Sequence, residues 1–100
     1  MKSKKIRTQA AEIQNRFFQA LDLLIESGRI DSLQSFCNEY KLHRPKYSNL
    51  RTFSKDQTKP GTGYKFIDID SLYYLVADFG ISSDWLITGK GGMYKNKKGA

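Results

Sequence analysis

Cysteine is almost missing from this chain, with Cys37 alone among 100 residues. A single thiol closes no internal disulfide and founds no cysteine metal cluster. Histidine also occurs once, at His43, which leaves little from which to assemble a nucleophile and its base. No apolar run approaches the ~20 residues that a membrane span requires. The cations of MKSKKIRTQ are followed by no apolar segment, so a secretory signal is not expected there. These scarcities together lead to the expectation of a cytoplasmic protein that is not an enzyme and holds no metal or cofactor.

What is present fits one globular domain. The chain is 39% hydrophobic and carries thirteen aromatic residues, enough for a single core and too few residues for two. Its net charge of +7 is distributed in blocks. Residues 1–8 carry +4 and residues 90–100 carry +4, while the stretches 9–40 and 66–89 are acidic, at −3 and −4. Between them, residues 41–65 carry +6. Basic ends serve solubility, but an internal basic block between acidic segments gives one face a strong positive field, which suits nucleic acid.

Apolar periodicity predicts five helices. Ala10, Ile13, Phe17, Leu21, Leu24 and Ile25 mark a first helix over about Gln9–Ser27, ended by Gly28. Asp31 or Ser32 can cap a second, with Gln34 as reciprocal partner if Asp31 is the cap, burying Leu33, Phe36, Cys37 and Tyr40. A third begins at His43 or Arg44, with Pro45 in its first turn and Tyr47, Leu50 and Phe53 inward. Residues 54–65 lack periodicity and hold Pro60, Gly61 and Gly63, so a long loop is expected, or a short hairpin with Tyr64–Ile67 as its second strand. Asp68 or Asp70 caps a fourth helix closed by Gly80, and Ser82 or Ser83 caps a short fifth closed near Gly89. The acidic residues Asp68, Asp70, Asp78 and Asp84 are placed mostly at helix caps. The fold class is therefore all-α: a basic arm over 1–8, a five-helix domain over 9–93, and a basic disordered tail over 94–100.

The second and third helices, separated by about three residues, describe a helix-turn-helix. Phe36, Tyr40, Leu42, Tyr47 and Leu50 lock the pair, and Cys37 is a small residue at their closest approach. The outward side of the third helix then carries His43, Arg44, Lys46, Ser48, Asn49 and Thr52, with Arg51 at the edge. Arginine reaches guanine bidentately, asparagine pairs with adenine, and the hydroxyls meet several groups. No acidic residue occurs from Leu42 to Lys55, unlike an ordinary solvated helix that mixes Glu with Lys. Within the 54–65 loop Lys55, Lys59 and Lys65 flank a glycine-containing bend and suit a phosphate backbone.

This arrangement, together with the closing run WLITGKGGM, resembles the Cro/repressor-type helix-turn-helix family of bacterial and phage regulators over about residues 13–93. The resemblance implies a helix-turn-helix in which the third helix enters the major groove of double-stranded DNA, and binding to an operator as a homodimer. It also implies a transcriptional regulator, a repressor of prophage or mobile-element type. Three features depart from the family pattern. Lys41 stands where a glycine is usual, Pro45 replaces a hydrogen-bonding side chain, and the connection after the third helix is longer. The GKGG tetrapeptide is not a phosphate loop, because no Ser or Thr follows the lysine and a helix, not a strand, precedes it. The alternative function is a protein-interaction module, such as an antitoxin-like or phage regulatory partner protein. RNA is disfavoured because an A-form groove admits a helix poorly.

Overall fold

The computed structural model describes residues 9–55 and 66–95. They form α1 (Gln9–Glu26), α2 (Leu33–Tyr40), α3 (Arg44–Lys55), α4 (Ile69–Phe79) and α5 (Ser83–Thr88). The fold is all-α, with no strand among the described residues and one isolated antiparallel bridge, Ile81 to Tyr94. Residues 56–65, in which the loop or hairpin was expected, lie outside the described residues, as do 1–8 and 96–100. Two details nevertheless differ from that expectation. Ser54 and Lys55 complete α3 rather than opening a loop, and Ile67 donates its backbone N–H to Gln14 Oε1 at 2.8 Å instead of pairing in a strand.

α1 packs against both α3 and α5, so its buried stripe is wider than one helix-on-helix contact requires. Phe18 and Ala20 are buried beside Phe17, Leu21 and Leu24, whereas Ala10 is exposed. Each fully buried Phe or Leu side chain stabilises the fold by roughly 1.5–3 kcal/mol relative to exposure. Gln14 is buried too, and its bond to Ile67 satisfies the polar atom that burial would otherwise strand.

The start of α2 is fixed by two serines. Ser32 accepts from the Ser35 N–H at 3.0 Å, and the Ser32 N–H donates back to Ser35 Oγ at 3.1 Å. Ser35 thus takes the reciprocal role, and Gln34 and Asp31 have no part in it. α2 ends at Lys41, whose φ of 58° and ψ of 44° place it in the left-handed region, the one non-glycine residue there among the described residues. A lysine in that conformation costs about 1 kcal/mol. The turn is held by Leu42 N–H, which donates to Cys37 O at 2.8 Å. α3 then begins at Arg44 with Pro45 in its first turn, where no intrahelical acceptor is forgone.

α5 is clamped to α1 by a residue that apolar periodicity does not mark. Arg16 donates from Nε to Leu86 O and from Nη2 to Ile87 O, each at 2.9 Å, satisfying carbonyls at the helix end. Gly89 follows with φ 81°, and a Cβ there would meet Arg16 Nη1 at 3.2 Å. Both the backbone sign and the close approach of Arg16 select glycine at this position. Leu86 is fully buried and Trp85 packs against the core, so this end of the chain serves packing. Tyr94 and Lys95, assigned from sequence to the disordered tail, are ordered chain: Tyr94 bridges Ile81, and Lys95 N–H donates to Gly80 O at 2.9 Å.

Candidate nucleic-acid interface

The buried side of α3 is defined by Tyr47 and Leu50, fully withdrawn from solvent. At helical spacing the opposite side falls to Pro45, Ser48, Asn49 and Thr52. Pro45, Asn49 and Thr52 are exposed, and Ser48 is half-buried. Thr52 turns its hydroxyl back to donate to Ser48 O at 3.1 Å, so the side chain presents its methyl and remaining lone pairs outward. Arg44 opens the helix, is exposed, and forms no ion pair among the described residues. His43 is exposed in the turn just before it. Cys37 is buried beneath, and burial pushes its thiol up despite the opposing Arg44 charge, so it stays a protonated packing group.

The other three cations of α3 differ from the open, unpaired set that the sequence suggests. Lys46 donates to Asp68 Oδ1 at 2.9 Å, with 18% of its side chain exposed. Arg51 Nε lies 3.0 Å from Asp22 Oδ1, and Lys55 Nζ lies 2.9 Å from Asp22 Oδ2. The acidic partners come from α1 and from the residue before α4, which is why the acid-free stretch Leu42–Lys55 gives no sign of them. Lys46 therefore tethers α3 to the residue before α4. Lys59 and Lys65 lie outside the described residues.

Asp68 stands at the N-cap of α4 but makes no side-chain cap hydrogen bond. Its carboxylate faces α3 instead, accepting from Lys46 and from the Tyr47 hydroxyl, the latter at 2.8 Å to Oδ2. The same hydroxyl accepts from the Asp68 backbone N–H at 3.0 Å. Asp78, also expected near a cap, lies in the last turn of α4 and accepts from Tyr40 OH at 2.6 Å. The hydrogen bond from Lys46 holds the Asp68 carboxyl below its ordinary value of 3.8, helped by Tyr47 and opposed by partial burial. A carboxyl with a lowered folded pKa adds stability above its unfolded value and loses it as acid titrates the folded form. Stability should accordingly fall below about pH 4, and Asp68→Asn should fall less steeply when urea midpoints are compared from about pH 5 to about pH 2. Parallel curves would mean that the Lys46 pairing contributes nothing.

Asp22 and Arg16 are positioning residues that sequence patterning does not single out, and Asp68, expected as a cap, has a carboxylate that ties α3 to α4 instead. For Asp22 the one sequence sign is its place beside Leu21 at the edge of the apolar stripe; in the structure its side chain is 22% exposed and paired. The resulting surface has a short polar centre on α3, with cations on both flanks held in place by acids from neighbouring elements. Compared with protein-family models, with curated proteins and with solved structures, the chain has no match.

Proposed function

We propose that this chain binds double-stranded DNA sequence-specifically through α3, as a transcriptional regulator of repressor type that acts as a homodimer. One observation supports the reading above the rest: Arg44, Asn49 and Thr52 are exposed on one helix whose opposite side is locked into the core by Tyr47 and Leu50. Base readout needs donors and acceptors of this kind on a rigid element, since a mobile side chain loses discrimination to entropy. Arg44 supplies a bidentate donor, Asn49 a donor and acceptor pair, and Ser48 and Thr52 short groups that allow close approach. α3 enters the major groove, and a second copy places its own α3 about one duplex turn, roughly 34 Å, away.

A second reading, a protein-interaction module, draws on α4. Ile69 is 82% exposed and Tyr73 65% exposed, one turn apart on the same side. Selection of bound duplexes from a random pool separates the two readings. Enrichment of an inverted repeat with half-sites one turn apart is expected, and a bound pool no different from the starting pool would sink the DNA reading.

A further inference from the structure

We propose that Asp22 is a specificity-determining residue: its carboxylate masks Arg51 and Lys55 and so restrains sequence-independent attachment of α3 to phosphates. This rests on the DNA-binding reading above. Arg51 and Lys55 are four residues apart and share one flank of α3, the flank that also carries Arg44 at helical spacing. Both would therefore run beside the duplex backbone when the outward centre of α3 faces the groove. In the free protein each is within 3.0 Å of an Asp22 oxygen, so two cations share one anion.

For Arg51 the hold is electrostatic more than directional. Asp22 Oδ1 is buried without a hydrogen bond although Arg51 Nε lies 3.0 Å away, because the N–H is not aimed at it. Lys55 keeps 55% of its side chain exposed, and Arg51 33%. Pairs of this kind are weak and screened by salt. A phosphate reaching these two cations must displace the carboxylate and also approach its charge, so the contact yields less than two open cations would. Base contacts at Arg44 and Asn49 are not taxed in this way. The net effect is a larger ratio of specific to non-specific binding, obtained by weakening the wrong complex.

The test measures binding to a random-sequence duplex across a salt series, for the full chain and for Asp22→Asn. The variant should bind at least several-fold more tightly at low salt, and its plot of log affinity against log salt should steepen by about one to two units, near 0.9 per phosphate engaged. Adding Arg51→Gln and Lys55→Gln to Asp22→Asn should abolish the gain. Glu26→Gln removes the same charge one turn further along α1 and should change the slope little. Asp22→Ser provides the same loss of charge should the asparagine variant fail to melt cooperatively. A wild type that binds duplex with a slope unaltered by either Asp22 substitution would overturn the masking role alone. So would a gain equalled by Glu26→Gln, or one that persists without Arg51 and Lys55. No duplex binding by wild type or variant would instead overturn the DNA reading, and the masking role with it.

Discussion

Replacing Tyr47 with alanine should lower the stability of the domain by about 3–5 kcal/mol, the range for removing a large aromatic side chain from a core. A domain of this size has only about 5–15 kcal/mol in total, so the variant should be substantially unfolded at modest urea. Two physically separate losses contribute. The ring is wholly buried and meets Phe17 edge-on, with centroids 6.1 Å apart, so its removal opens a cavity between α1 and α3. The hydroxyl ties α3 to the start of α4 through two hydrogen bonds with Asp68. Burial pushes the phenol's pKa up, so it remains a neutral donor throughout the physiological range. Tyr47→Phe keeps the ring and removes only the tie, leaving the Asp68 N–H without its acceptor, which costs about 1–3 kcal/mol. Urea midpoints of the two variants apportion the effect. If the phenylalanine variant matches wild type, Asp68 does not anchor α4 through this tyrosine.

The same tyrosine marks where sequence reading succeeds and where it stops. Its burial follows from spacing alone, because Tyr47 and Leu50 repeat at the interval that sends side chains to one face. The helix ends are equally legible: Gly80 and Gly89 take positive φ as helix-closing residues, and Pro45 falls in a first turn. What spacing does not give is the partner of a polar atom. Nothing local links Tyr47 to Asp68, Arg16 to the carbonyls of α5, or Arg51 to Asp22, since each pair joins elements far apart in the chain. Charge counted along the sequence therefore overstates the open positive charge on α3. A cation-rich helix was expected to present all its cations, and three of the four are held by carboxylates that only tertiary packing brings near. The width of the α1 stripe was missed for a related reason. A helix contacted on two sides buries residues such as Phe18 that a one-sided pattern assigns to the boundary.

These assignments concentrate the expected recognition on Arg44 and Asn49, and the largest functional effect is predicted there. Substituting both with alanine should leave the fold intact, because each is exposed and Arg44 forms no ion pair among the described residues. A well-formed bidentate contact discriminates the right base by about 1–3 kcal/mol, so the double variant should lose roughly 30-fold to 10⁴-fold in selectivity. Affinity for random duplex should fall much less, through the one lost charge, with the salt slope shallower by about 0.9 at most. The two losses are separable in one competition series, with the selected duplex titrated against random duplex at fixed salt. Collapse of both kinds of binding together would assign Arg44 to phosphate attachment and leave base readout to Asn49 and its neighbours. Selectivity unchanged in a folded double variant would remove α3 from the recognition surface altogether. The exposed Ile69 and Tyr73 of α4, one turn apart, would then become the place to look for a partner protein, because neighbouring exposed apolar groups of this size suit a protein contact.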